Sequence, residues 1–370
     1  MPSSPSGSLL GRPVTISGLG TYLPTRVVTN LELSQTLDTS DEWIRQRTGI
    51  RERRIADPGM SSSDLGILAG RAALEDAGVL PEEVGLVVTA TISPDQLMPA
   101  TAARIAFQCG CVRAGAYDVS AGCSGFVFAL AMAASAVAAG LHDHVLVVGA
   151  ETISRILDWE DRSTAVLFGD GAGAAVVSAL KTAAGEAASG TAATDEATRG
   201  GSTVTGVAAK SAGGILGFDL GGDGSGADFL QIPAGGSRLP ASCATVQARQ
   251  HYMRMNGHEV YKFATRVVAE SAGRVLERCK REVGDIDLFV PHQANLRIIE
   301  GAAKKLGIPE DRIFTNVERY GNTSCASIPL CLAEARAEGR LRPGDLVLLM
   351  GFGAGLSWGA CLMEWGETGV

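Results

Sequence analysis

Apolar residues along this chain gather in short unbroken runs separated by stretches with helical spacing. Runs at 14–19, 85–90, 144–150, 174–178, 287–290 and 346–350 are apolar at most successive positions. A strand apolar on both faces predicts a sheet covered on both sides, as in α/β proteins. The segment 61–77 opens with Ser-Ser-Ser-Asp and stops at Gly78, which predicts a capped helix. Across 256–283 apolar residues recur at three- and four-residue steps, the mark of an amphipathic helix. No residue from 119 to 141 is charged, a length that would span a bilayer. That stretch is rich in Ala and Gly, contains Ser120, Cys123, Ser124 and Ser135, and is flanked by Asp118 and Asp143. It predicts a buried central helix beginning near Cys123, not a membrane span.

The two ends of the chain echo each other. A helix leads through Val84-Gly85 into an apolar strand, and later another leads through Val283-Gly284 into a second one. Further on, each half has a glycine-rich turn, at 169–173 and at 351–355. The repetition predicts two similar α/β halves: 1–180, and 246–370 after an inter-half segment 181–245. Within that segment, 18 of the 23 residues from 181 to 203 are Ala, Gly, Ser or Thr. It lacks large apolar groups to offset the entropy of ordering and reads as a surface insertion.

Composition narrows the function classes. A chain of 370 residues that is 46% hydrophobic and 19% charged builds its own core without disulfides or metal. The net charge of −8 argues against a chain-wide nucleic-acid surface. Eight cysteines with no Cys-x-x-Cys pair fit a reduced, cytoplasmic protein, and residues 1–12 show no signal-peptide pattern.

Three stretches carry candidate chemistry. Cys123 lies between a predicted strand end and the uncharged helix, where the positive end of the helix dipole favours a thiolate. Its alternative is a small buried hydrophobe, one of eight cysteines. His292 follows a buried strand and precedes a helix, at the sheet edge where ligands collect; a structural histidine is the alternative. Asn322, after Gly321 and before an apolar helix, reads equally as a helix cap. A rival constellation, Cys109-x-Cys111 with His142-x-His144, offers zinc-type ligands. One-residue spacing on an extended chain sends such pairs to opposite faces, so a metal is not expected. Neither glycine-rich turn follows a nucleotide-binding pattern.

Taken together, the chain resembles β-ketoacyl-acyl-carrier-protein synthase III, the initiating condensing enzyme of bacterial fatty-acid synthesis. The resemblance runs through Asp41-Glu42-Trp43-Ile44, the segment Arg47 to Arg53, the Cys123 segment, Phe168 to Ala174, Pro291 to Arg297, Gly321-Asn322-Thr323-Ser324 and Gly351 to Gly359. It implies a thiolase-like fold of two βαβαβαββ halves in a five-layered αβαβα arrangement. The insertion at 181–203 departs from the family, as does Ala354 in place of a glycine.

The resemblance further implies a catalytic triad of Cys123, His292 and Asn322. Cys123 would carry the acyl group of an acyl-CoA primer, with the backbone amides of Cys123 and Ala354 as oxyanion hole. His292 and Asn322 would donate hydrogen bonds to the enolate left when malonyl-acyl-carrier protein loses CO2. Thr39, Trp43, Arg47 and Arg162 match CoA contacts, with Trp43 and Arg162 on opposite faces of the adenine. Lys262, Arg297 and Lys304 match a docking patch for the acidic carrier protein. Met98 matches a residue that crosses a homodimer interface to line the acyl pocket, and its flexibility suits a branched or longer primer. No metal or further cofactor is implied. Competing expectations are a related synthase of a polyketide pathway, a Cys-His-Asn hydrolase and a non-catalytic scaffold. The fold relative HMG-CoA synthase fits less well, because it uses a glutamate at this step.

Overall fold

The computed structural model describes residues 11–180 and 213–366. The low-complexity stretch at 181–203 lies outside them.

Two sheets form the frame. In the first, the strand order is Val14–Tyr22, Gly171–Ala179, His144–Glu151, Val84–Ala90, Gly115–Val119. In the second it is Gly214–Gly222, Ser357–Glu364, Leu346–Gly353, Leu288–Pro291. Both repeat one pattern: a parallel pair, then two antiparallel pairings ending on the first strand of the half; in the second half that strand is Gly214–Gly222, so part of the expected inter-half segment 181–245 belongs to the second sheet. The fifth strand of the second sheet shrinks to one parallel bridge, Phe289 to Ile313, beside an N–H bond from Phe314 to the Phe289 carbonyl (3.0 Å). The glycine-rich turns occupy the same slot in each half, between its last two antiparallel strands.

Strands apolar on both faces explain the layering. In the first sheet, Val88, Val145 and Val147 face the central helices Gly125–Ala138 and Ser327–Ala337. Their sequence neighbours Val87, Leu146 and Val148 face the outer helices Ser62–Ala77 and Thr101–Gln108. The second sheet does the same: Val290, Val347 and Cys361 point to the central pair, and Phe289, Leu348 and Leu362 to Gly257–Cys279 and Leu296–Leu306. The result is five layers, helix–sheet–helix–sheet–helix. Phe126 and Leu130 are fully buried in the central layer, each worth on the order of 2 kcal/mol from burial. Among the described residues no helix is long and apolar enough to cross a membrane.

Local signals set the helix ends. Ser61 precedes the Ser62–Ala77 helix, with its N–H on the Asp64 carboxylate (2.8 Å), and Gly78 ends it. Asn256 caps Gly257–Cys279 through Glu259 N–H. The uncharged helix starts at Gly125, not at Cys123: a turn separates it from the strand ending at Val119.

Candidate active site

Cys123 sits in that turn, where backbones from the two halves touch. A Cβ on Gly353 would lie 2.4 Å from the Cys123 nitrogen, and one on Gly122 would lie 2.5 Å from the Ala354 nitrogen. Gly122 also has φ 54°, a left-handed conformation that suits glycine. Hydroxyls lock this contact. Ser357 Oγ is 2.8 Å from Ser124 Oγ and within reach of the carbonyls of Ala121 (2.7 Å) and Ala354 (2.8 Å). The backbones of Gly122-Cys123 and Gly353-Ala354 are thereby held in close contact.

Cys123 lies two residues before the first helical residue and is buried. Burial pushes its thiol up to about 12; a Ser324 hydrogen bond acts in the other direction and the charge of Glu151 adds to the rise. Burial thus opposes the thiolate that a nearby helix start favours.

His292 follows the strand Leu288–Pro291, with its N–H on the Met350 carbonyl (2.7 Å). Its ring meets Phe352 edge-on, with centroids 5.4 Å apart, and Nδ1 lies 2.7 Å from Ser327 Oγ. Burial lowers its pKa to about 3, so the ring is neutral. Asn322 is pinned to the first half through backbone bonds to Leu167 (2.8 Å) and Gly169 (3.0 Å). Its Oδ1 accepts the Ser324 N–H (2.8 Å). A backbone N–H only donates, so the amide orientation is fixed and Nδ2 remains to serve the chamber. Asn322 is thus both a turn cap and a site residue.

Cys123, His292 and Asn322 line one chamber of about 150 Å³, with Phe168, Leu230 and Phe352 among its apolar walls. An outer groove of about 460 Å³ adjoins it, lined by Trp43, Arg47, Arg162, His258 and Arg297. Leu167, Met255, Gly257, Tyr261 and Asn295 line both. The Arg162 guanidinium carbon lies 4.9 Å from the Trp43 ring centre, and that of Arg47 at 5.6 Å. Arg162 also bonds the Asp38 carbonyl (2.5 Å). The Trp43–Arg162 pair is therefore stacked on itself, and a base entering between them must part it.

Other expected residues lie apart. Thr39 is not among the residues lining the groove, and its buried Oγ1 has no hydrogen-bond partner. Lys262 pairs with Glu259 (3.1 Å), and Lys304 lies in the last turn of Leu296–Leu306. Met98 is 84% exposed and does not line this chain's own chamber. Of the rival zinc set, Cys109 and Cys111 pack in the first outer core, while His144 Nδ1 bonds Ser178 Oγ (2.8 Å). No group of three or more potential ligands gathers among the described residues. The sequence reading missed Ser324, Ser327, Ser357, Tyr261 and Glu151, whose roles depend on long-range packing.

Models of 3-oxoacyl-[acyl-carrier-protein] synthase III match residues 117–195, and residues 276–365 for its C-terminal part. The β-ketoacyl-[acyl-carrier-protein] synthase III of Symbiobacterium thermophilum is 49% identical over 96% of this chain and 99% of its own. The chain belongs to the β-ketoacyl-acyl-carrier-protein synthase III family. The crystal structure of the synthase III from Pseudomonas aeruginosa superposes with TM-score 0.82 at 41% identity, covering 96% of this chain and 99% of the other. The priming β-ketosynthase of the R1128 polyketide pathway reaches TM-score 0.81 at 37% identity, covering 98% and 99%. The thiolase-type five-layer fold is thus shared across the synthase III family and a polyketide relative.

Proposed function

We propose that this chain condenses an acyl-CoA primer with malonyl-acyl-carrier protein, with loss of CO2, to start fatty-acid synthesis. The convergence of Cys123, His292 and Asn322 on one chamber behind an arginine- and tryptophan-lined groove carries this reading. The groove suits the CoA end: Arg47, Arg162 and Arg297 face anionic phosphates and Trp43 offers a stacking face. In the chamber, Cys123 Sγ attacks the thioester carbon and the CoA sulfur leaves, taking the proton. The amides of Cys123 and Ala354 receive the developing oxyanion. Ala serves there because only its N–H is used.

The second half-reaction needs neutral donors. Decarboxylation leaves an enolate oxygen, which Asn322 Nδ2 and a neutral His292 stabilise. Ser327 Oγ lies 2.7 Å from Nδ1 and 2.8 Å from the Ser324 carbonyl; for His292 to present Nε2–H, the one Ser327 hydroxyl proton is given to Nδ1, and the Ser324 carbonyl keeps the Ser327 N–H. The carbanion then attacks the acyl carbon and the carbon–Sγ bond breaks, releasing the β-ketoacyl product and the Cys123 thiolate, which takes a proton from solvent to restore the thiol. All groups used are side chains or amides of this chain, so the scheme calls for no metal or further cofactor.

Lys262, Arg297 and Lys304, on the two outer helices beside the groove, form the carrier-protein patch of this reading. A second copy of the chain completes the assembly. Exposed Leu97 and Met98 precede the helix Thr101–Gln108, which carries exposed Phe107, and Asp118 on the edge strand Gly115–Val119 accepts the N–H groups of Thr101 and Ala102 (2.7 and 2.8 Å). Met98, which does not line its own chamber, would reach the partner's. Eight free cysteines suit action in the cytoplasm.

The test is mass spectrometry after mixing with acetyl-, isobutyryl- or longer acyl-CoA, then adding malonyl-carrier protein. An acyl adduct on Cys123 that converts to a β-ketoacyl product supports the reading; no adduct with any primer overturns it. Similarity to the polyketide-priming synthase supports a second reading, the same chemistry in a specialised pathway. Preference for longer primers and a dedicated carrier protein in the same scan would favour it.

A further inference from the structure

Gln293, between His292 and Ala294, is fully buried and takes no part in the steps above. The four hydrogen-bonding places of its amide are filled, all by main-chain groups. Nε2 donates to the carbonyls of Pro291 (2.7 Å) and Phe314 (3.3 Å). Oε1 accepts the N–H groups of Asn316 (3.0 Å) and Val317 (3.2 Å). Carbonyls only accept and backbone N–H groups only donate, so the amide has one possible orientation. A leucine would fill the same space without an amide to desolvate, and that cost is offset here only because every bond is made.

These bonds join the two segments that carry the enolate donors. On one side lies the peptide unit between Pro291 and His292. Gln293 holds its carbonyl, and the Met350 carbonyl accepts its N–H (2.7 Å). On the other side lie Asn316 and Val317, at the start of the short helix Val317–Tyr320. That helix is pinned at both ends, because the Asn316 amide and the Tyr320 hydroxyl donate to Glu334 at 2.8 and 2.5 Å. The Gly321 N–H returns to the Val317 carbonyl (2.9 Å), and Asn322 follows directly. Ser327 ties His292 to the chain just after Asn322, and Gln293 ties it to the chain just before. We propose that Gln293 is a positioning residue that holds His292 and Asn322 in register, so that both present an N–H to one enolate oxygen.

This rests on the donor roles of His292 and Asn322 argued above. Two donors stabilise one oxygen only when both lie within hydrogen-bond distance of it, and a shift of about 1 Å can slow a step about 100-fold. Cys123 and Ala354 are held by other contacts, the crossing of Gly122 with Gly353 and the Ser357 hydroxyl. None of these involves Gln293. Loosening Gln293 therefore separates the half-reactions: acyl transfer to Cys123 persists, and decarboxylative condensation falls.

The experiment compares the wild-type chain with Gln293→Leu. Acyl-Cys123 formation from saturating acetyl- or isobutyryl-CoA is timed by intact mass. Malonyl-carrier protein is then added to the preformed adduct, and release of CO2 is timed. In Q293L acylation is expected within about twofold of wild type and CO2 release slowed at least about tenfold. A ratio of condensation to acylation rates that falls by no more than about twofold overturns the inference, because a merely structural role would leave that ratio alone. Should Q293L fail to fold, Gln293→Glu takes its place. It keeps an acceptor for the Asn316 and Val317 N–H groups and sets its other oxygen against the Pro291 and Phe314 carbonyls, and the same fall in ratio is expected. Loss of folding in both variants marks Gln293 as a residue of the core alone and overturns the inference as well. A wild-type chain that takes no acyl group overturns the proposed function and this inference with it. A labelled wild type with an unchanged ratio in the variant keeps the proposed function and loses only this inference.

Discussion

On the proposed mechanism, residue 322 needs an amide for two reasons at once. Its oxygen is engaged by the Ser324 N–H, and its nitrogen serves the chamber. Asn322→Asp keeps the first bond and replaces the second donor with a charge that repels an enolate. The expected outcome is intact acylation of Cys123 with condensation slowed about 100-fold or more, read by adduct mass and by product formation. Cys123, His292 and Asn322 each stood out beside a strand end or a turn signal, but only the family resemblance joined them into one site. Their protonation states could not be read from the sequence. Cys123 beside a helix start suggests a thiolate, and only the packing of both halves brings in the burial that opposes it. Arg53 was equally illegible. Within an otherwise polar run its guanidinium is fully buried, bonded to the Val28 and Val166 carbonyls (3.2 and 2.8 Å) and to Asn30 Oδ1 (2.8 Å), and burial lowers its pKa to about 10.

Among the elements, the Leu296–Leu306 helix couples the groove to the chamber through its cap. Asn295 accepts the Arg297 N–H (2.9 Å) and donates to the Arg47 carbonyl (3.1 Å), and it lines both cavities. Asn295→Ala should cost about 1 kcal/mol from the lost cap, seen as a small fall in Tm. The displaced Arg47 should raise KM for acyl-CoA several-fold while kcat stays within about twofold, a split that steady-state kinetics reads directly. Strands with Val and Leu on both faces, such as His144–Glu151, were legible because alternation is absent only when both faces are buried. Gly214–Gly222 and Ser357–Glu364 were not, since their glycines and isolated polar residues mimic loop composition. The start of the central helix was misplaced by two residues because an uncharged run gives no sign of where turn becomes helix.

On the scale of the whole molecule, the duplicated halves were visible as repeated strand–turn order, but the loss of the fifth strand from the second sheet was not. Ile313 offers a single bridging residue there, too little pattern to register. Pairing of two copies along Gly115–Val119 predicts a sedimentation mass twice that of the chain, and Phe107→Glu combined with Leu97→Glu should reduce it to the single chain by removing exposed apolar contact area. The Ile313 stub has a consequence for such growth. It occupies the border of the second sheet that corresponds to the open one in the first, so a molecule joined to its twin by two-fold symmetry uses up the same border on both members. Association by such pairing would terminate itself and leave a finite particle instead of a fibre.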